Sequence, residues 1–383
     1  MSTRRLRILA VNWRDRKNPE AGGAETHIHE LLERLASRGH EITLLAAGWK
    51  GAPAEENYGG LRVLRAGGPM TANFVLALKA KRLLRDESFD LIIEDVNKVP
   101  FFLPTLSDLP CLLVVPHLFG STVFRETNPI FATYVWLMER AIPAVFSRAG
   151  VLAISPSTQD DLIARGFDAE RIEVNYCGFD SAPYELASTP PRNSHPTIIH
   201  TGRLRKYKGA DLVLRSFTQI REQLPDARLE IVGDGPERPI LERLASDLGL
   251  GESVTFHGFI DLAAMVDLLY RSHLFMNASP KEGWGLTVVE AGACGVPTVA
   301  ANSPGLRDSV RDGETGILVP YGEISAMAQA ALELLSDEPR RAAMGSAASL
   351  RAHGFSWDEG AKQMESQLLS LLEIGRASCR ERV

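Results

Sequence analysis

Two cations, Arg203 and Lys208, stand five residues apart in Thr201-Gly-Arg-Leu-Arg-Lys-Tyr-Lys-Gly209, and two carboxylates, Glu282 and Glu290, stand eight apart in Ser279-Pro-Lys-Glu-Gly-Trp-Gly-Leu-Thr-Val-Val-Glu290. Cations of this kind suit a diphosphate, Arg as a planar fork and Lys as a mobile point charge. They also stabilise negative charge that grows on a departing nucleotide, without a metal. Gly283 and Gly285, on either side of Trp284, let the backbone approach a ligand closely, and the N–H groups that open the following helix can meet an anion. Glu282 precedes that helix and Glu290 lies about one turn inside it, so both carboxylates can face one crevice. A carboxylate there can accept hydrogen bonds from two adjacent ribose hydroxyls. Taken singly, each of these side chains reads better as a solvated surface charge. Arg205 and Lys206 have no better reading than that.

Residues so far apart in sequence need strand-loop-helix units to bring them to one sheet edge. The apolar run at 6–11, the amphipathic stretch 24–37 ended by Gly39, and the run at 42–46 predict one such unit. Further strands are predicted at 61–64, 91–93, 112–115 and 151–154. After residues 181–196, rich in Pro, Ser and Asn and without periodicity, the alternation restarts, with strands predicted at 197–200, 229–232, 254–256, 274–276, 298–300 and 317–319. The expected organisation is an α/β domain over 1–180, a linker over 181–196, a second α/β domain over 197–355, and a helix over 356–372 that can cross back to the first domain. Ala361, Met364, Leu368 and Leu372 share a side of that helix. Residues 373–383 break its pattern and read as a non-native tail.

The 383 residues are 45% hydrophobic and 23% charged, enough for two domains of ordinary size. A net charge of −6 argues against a dedicated nucleic-acid binder, which draws its affinity from clustered Lys and Arg. Cysteines at 111, 177, 294 and 379 form no CxxC pair, which argues against a zinc knuckle or a disulfide framework. The Arg4, Arg5, Arg7 start leads into a strand, not a signal-peptide core, and no apolar run is long enough to span a bilayer, so the expected setting is cytoplasmic. One basic amphipathic stretch, Phe74-Val-Leu-Ala-Leu-Lys-Ala-Lys-Arg-Leu-Leu-Arg85, has the composition of a helix that lies on anionic lipid at the inner face of a membrane, and equally of a core helix with a solvated basic side.

Gly202-Arg203 with Lys208-Gly209, then Val232-Gly-Asp-Gly-Pro236, His257-Gly-Phe259 and Glu282-x7-Glu290 together resemble the donor-domain signature of family-four retaining glycosyltransferases of the GT-B fold. Ala21-Gly-Gly-Ala-Glu25, Arg38-Gly-His-Glu41 and Val114-Val-Pro-His117 are similar to the acceptor domain of the same family. The resemblance spans residues 6–372. It implies two Rossmann-like, doubly wound parallel-sheet domains facing across a cleft, and a nucleotide-diphosphate-sugar, UDP- or GDP-linked, as co-substrate with no other cofactor and no metal. It further implies that Arg203 and Lys208 hold the diphosphate, that Glu290 holds the ribose, and that Glu282 holds the transferred sugar. Gly283, Trp284, Gly285, Leu286 and Thr287 would line the donor through their backbone, and Phe259 and Ile260 would border the base, also through their backbone. His117 would meet the donor sugar, and Gly22 and Gly23 would lie opposite the phosphates. The reaction implied is sugar transfer to a hydroxyl acceptor, free or lipid-linked, in which the leaving phosphate oxygen helps to take the acceptor proton.

Three features depart from the family pattern. Leu118-Phe119-Gly120 replaces a more polar continuation after His117, Trp284 stands where Phe is more usual, and Asp308 is shorter than the common Glu. A nucleotide-sugar 2-epimerase of the same fold and a non-catalytic nucleotide-sugar-binding scaffold are the competing readings. An epimerase would turn over donor without acceptor. A dehydrogenase is disfavoured because Ala21-Gly-Gly-Ala-Glu25 is not the GxGxxG fingerprint.

Overall fold

The computed structural model describes residues 4–68, 71–186 and 188–380, in two compact units: residues 4–178 with 357–380, and residues 179–356. The first unit holds β1 (Arg7–Val11), β2 (Glu41–Ala46), β3 (Glu55–Tyr58), β4 (Leu61–Arg65), β5 (Leu91–Asp95), β6 (Cys111–Val115), β7 (Gly150–Ala153) and β8 (Ile172–Val174). They form one sheet in the order β3-β4-β2-β1-β5-β6-β7-β8, parallel except for the antiparallel β3 edge. Ile8, Leu9, Leu44, Leu45, Ile92 and Leu113 are fully buried, as strands covered on both faces must be.

The second unit holds β9 (Thr197–Thr201), β10 (Arg228–Val232), β11 (Val254–Gly258), β12 (Leu274–Asn277), β13 (Thr298–Ala301) and β14 (Gly316–Val319), all parallel, in the order β11-β10-β9-β12-β13-β14. The strand order reverses between β9 and β12. The loops that leave the C-terminal ends of these two neighbours therefore border the crevice where open α/β sheets take their ligands. In the first sheet the same reversal falls between β1 and β5.

Two edge strands escaped the sequence reading. Glu-Glu-Asn-Tyr of β3 offers no apolar face and is held by its ladder to β4, while β8 has three residues. The stretch read as a linker is in part structured. It forms a 3-10 turn at Ala182–Tyr184 and groups with the second unit, because Tyr184 is buried and Asn193 ties back to Arg271 and Thr197.

The last helix runs Trp357–Arg380, eight residues beyond the expected stop, and groups with the first unit. One glycine and no proline in 373–380 do not end it; residues 381–383 of the stretch read as a tail lie outside the described residues. Ala361, Met364, Leu368 and Leu372 are all buried. Its polar anchor is buried Glu365, which accepts from Arg38 Nε at 2.6 Å and meets His40 Nε2 at 3.0 Å, while His40 Nδ1 accepts from the Leu6 N–H. Arg38 and His40 of Arg38-Gly-His-Glu41 thus serve in helix docking. Gly178, where a Cβ would overlap the Trp357 backbone, lets the helix start close in.

Candidate functional site

In the second unit, Arg203 and Lys208 leave the end of β9, and Glu282 leaves the end of β12, so the switch point brings these loops together. Lys208 Nζ donates to both oxygens of Glu282, at 2.6 and 2.7 Å. Burial works against the Lys208 charge, but Glu282 outweighs it and holds the ammonium above its ordinary range; the positive charge of Arg203 is close enough to oppose this. The sequence reading gave Lys208 and Glu282 separate partners, diphosphate and sugar. The structure pairs them with each other.

Close packing of the loops explains the glycines. Gly209 has φ +69° and a Cβ there would overlap the Ala278 carbonyl; a Cβ at Gly233 would overlap the carbonyl of Gly202. Two serines, not singled out by sequence, latch the loops. Ser279 Oγ donates to the Tyr207 carbonyl at 3.0 Å, and Ser303 Oγ donates to the Ser279 carbonyl at 2.6 Å. A serine between Gly- and Pro-rich turns carries no distinctive sequence signal.

Gly285, at φ +89°, caps the helix Leu286–Ala293, which carries Leu286 and Thr287 in its first turn and Glu290 in its second. Trp284 is buried and meets the Phe355 ring edge-on at 5.1 Å, a packing contact. Glu290 is half-buried. Burial pushes its carboxyl above the ordinary range, and the hydroxyl of Tyr184 opposes that rise by donating to it. Tyr184 is fixed in turn by the Tyr270 hydroxyl, which donates to its carbonyl at 2.9 Å, and by its ring contact with Phe179 at 4.8 Å. Phe259 and Ile260 follow β11, two strands from β9, and the Phe259 side chain is 90% exposed. Asp308 accepts from the Gly305 N–H at 3.2 Å, a helix-start role.

In the first unit, Gly22 and Gly23 open the helix Gly23–Ser37 after β1, and the Gly22 N–H donates to Glu25 at 2.7 Å. His117 follows β6 and meets the Phe119 ring edge-on at 5.2 Å. The unusual Leu118-Phe119-Gly120 is held by buried Glu139, which accepts from the N–H groups of Phe119 and Gly120 at 2.7 Å each. Glu139 lies on another helix, too far along the chain for spacing to reveal it.

At the switch point of this sheet, Asn97 Nδ2 donates to Asn12 Oδ1 at 3.1 Å and to Glu25 Oε1 at 3.2 Å. Beside them Asp95 is buried, with neither oxygen hydrogen-bonded to the described residues. Burial, then the charges of Glu25 and Glu94, hold its carboxyl well above the usual range. A neutral Asp95 favours the fold fully below the unfolded-state pKa of about 4, and that contribution is lost as pH rises toward the higher folded value. Asp95→Asn is expected to raise the melting midpoint by several degrees at pH 8 and to leave it unchanged near pH 4. Thermal melts of both proteins at the two pH values measure this.

A six-stranded parallel sheet of this order, with cations and carboxylates on its switch-point loops and a second Rossmann-like unit in the same chain, defines the nucleotide-sugar-binding GT-B class. The family described as Glycosyl transferases group 1 matches residues 185–351, and the one described as Glycosyltransferase Family 4 matches residues 21–183. The chain belongs to the family-four glycosyltransferases. It is 28% identical over 352 residues, 85% of this chain and 89% of the other, to the GDP-mannose-dependent alpha-(1-6)-phosphatidylinositol monomannoside mannosyltransferase of Mycolicibacterium smegmatis. It is 34% identical over 191 residues, 48% of this chain and 45% of the other, to the D-inositol 3-phosphate glycosyltransferase of Corynebacterium aurimucosum. Sucrose-phosphate synthase from Thermosynechococcus elongatus shares the fold, with a TM-score of 0.79 at 23% identity over 97% of this chain and all of that one. The chain is thus a retaining glycosyltransferase that moves a sugar from a nucleotide-diphosphate-sugar to a hydroxyl acceptor. Among the described residues no helix is long and apolar enough to cross a membrane.

Proposed function

We propose that this enzyme transfers mannose from GDP-mannose to a hydroxyl of an inositol-bearing lipid, with the donor held on the second unit. The observation that carries the donor site is the Lys208–Glu282 pair at the switch point, with Arg203 on the same loop. In this reading a bound diphosphate draws Lys208 away from Glu282, joins it to Arg203, and frees the Glu282 carboxylate for the sugar hydroxyls. Lys208 and Arg203 then stabilise the charge that develops as the sugar–phosphate bond breaks. The leaving phosphate oxygen takes the acceptor proton, so no enzymic nucleophile is required. Glu290 holds the ribose through the oxygen that Tyr184 leaves available, Gly283 to Thr287 line the donor, and Phe259 and Ile260 border the base.

The choice of GDP-mannose and of an inositol lipid rests on the relatives, whose names carry mannosyl transfer to a phosphatidylinositol mannoside and glycosyl transfer to inositol phosphate. Assays with GDP-mannose, UDP-glucose and UDP-N-acetylglucosamine, each with and without phosphatidylinositol mannoside, test it. Acceptor-dependent turnover with GDP-mannose alone is expected; a new nucleotide sugar formed without acceptor would favour the epimerase.

A lipid acceptor calls for work at a membrane surface, and the first unit has a suitable face. On the helix Ala72–Asp86, Phe74 and Leu78 are each 68% exposed and share a stripe with exposed Lys81 and Arg85. Asn73 Nδ2 donates to Tyr134 Oη at 3.1 Å, tying this helix to Pro129–Val145, where Ile130 and Leu137 are exposed and Arg140 is the exposed charge. Exposed aromatic and aliphatic groups edged by Lys and Arg fit the inner, anionic face of a cell membrane. Phe74→Asp with Leu78→Asp is expected to cut co-sedimentation with phosphatidylglycerol vesicles at least tenfold. Equal sedimentation of both proteins would refute this surface.

A further inference from the structure

A cavity of about 790 Å³ opens at the opposite, N-terminal edge of the second sheet, in the size range of small-molecule sites. His273, which precedes β12, lines it, whereas the donor loops leave the other end of that strand. Four residues of β12 separate the two edges by about 13 Å. Arg192 and Arg341 line the cavity as well.

Both guanidinium groups are fixed by helix ends. Arg192 donates through Nη1 to the Ser272 carbonyl and through Nη2 to the Gly295 carbonyl at 2.8 Å. Arg341 Nη1 donates to the carbonyls of Leu334 and Leu335, at 2.8 and 3.1 Å. These carbonyls, at helix C-terminal ends, aim the side chains and carry only a partial negative charge, so each guanidinium keeps a net positive charge. Among the described residues neither arginine forms an ion pair, and Glu338, the acidic residue lining the cavity, pairs with neither. Burial, and next the charge of Arg341, holds the Arg192 guanidinium below its ordinary value. His273 Nδ1 accepts from the Thr197 N–H at 3.1 Å, which leaves the ring proton on Nε2 as a donor. Burial, then Arg341 and Arg192, lowers its pKa to about 4. Fixed, mutually repelling cations beside a neutral donor are a site short of a counter-anion.

We propose that this cavity is a second anion site, which binds a phosphate group between Arg192, Arg341 and His273, separate from the donor site. The shared chemistry is a phosphate dianion, whether inorganic or carried by a small metabolite. An anion there removes the repulsion between the arginines and raises the His273 pKa.

The test uses the full chain carrying Arg203→Ala and Lys208→Ala, so that phosphate held on the donor loops is removed. Inorganic phosphate and pyrophosphate are titrated by calorimetry, and the His273 ring is followed by NMR. Binding is expected in this background, with the His273 titration moved up by phosphate. Ser346→Glu, at an exposed position on the cavity wall, sets a carboxylate beside the arginines and should weaken binding at least tenfold. Arg341→Gln, which retains an amide donor for the helix carbonyls, should do the same, and thermal melts establish that both variants are folded. No binding in the background protein, or binding in both variants as tight as in the background protein, overturns the site. Neither result bears on the donor reading, which the single Arg203 and Lys208 variants test through turnover.

Discussion

Lys208→Ala is expected to lower turnover by about 10²- to 10³-fold, the loss that follows removal of one preorganised group from a developing oxyanion. Arg203→Ala should lose a similar factor. The Lys208 variant needs a control, because its removal leaves the Glu282 carboxylate, with a side chain only 13% exposed, without its partner. Part of any loss could then come from a displaced loop. Lys208→Met combined with Glu282→Gln removes both charges and should recover the melting midpoint. Turnover should stay as low as in Lys208→Ala. Steady-state kinetics beside thermal melts separates the two effects; recovery of turnover in the double variant would mean that Lys208 acts only by holding Glu282.

Glu290→Ala is expected to raise the donor KM by roughly 10- to 100-fold with a much smaller change in kcat, since a ribose contact is made equally in the ground and transition states. The pH profile carries a second signature. Burial raises the Glu290 carboxyl in the free enzyme, so kcat/KM should fall on the acid side with a midpoint above the ordinary Glu value. Glu290→Ala should abolish that limb. A donor with 2′,3′-dideoxyribose should bind the wild type and the variant equally well.

Much of this site was legible in the sequence, and the reason is local. Arg203, Lys208, Glu282 and Glu290 sit at fixed distances from strand ends, so apolar runs and glycines were enough to assign them to two strand-to-helix loops, whose adjacency depends on strand order. Gly209 and Gly233 were readable as glycines, but what they avoid, the carbonyls of Ala278 and Gly202, depends on strand order. The direct Lys208–Glu282 contact depends on it as well.

Tyr184 shows the opposite case. It fell in a Pro- and Ser-rich stretch whose composition reads as linker, and its use is set by a partner 106 residues away. Glu139, Ser279 and Asp95 were missed for the same reason: Glu139 acts through backbone N–H donors, Ser279 through backbone carbonyls and Asp95 through burial, none of which leaves a periodic trace. The two edge strands were missed because ladder hydrogen bonds, and not side-chain pattern, define them. The last helix was found from its apolar side and overran its predicted end, because a pattern break over a few residues does not stop a helix already docked along Ala361 to Leu372.

The central claim is retaining transfer from a nucleotide-sugar. Proton and carbon NMR of the product made from GDP-α-mannose and a phosphatidylinositol mannoside reads it directly, through the one-bond C1–H1 coupling of the new mannosyl residue. An α-linked product formed by the wild type, and not by Lys208→Ala, is the expected result. A β-linked product, or equal α-product from both proteins, would contradict it.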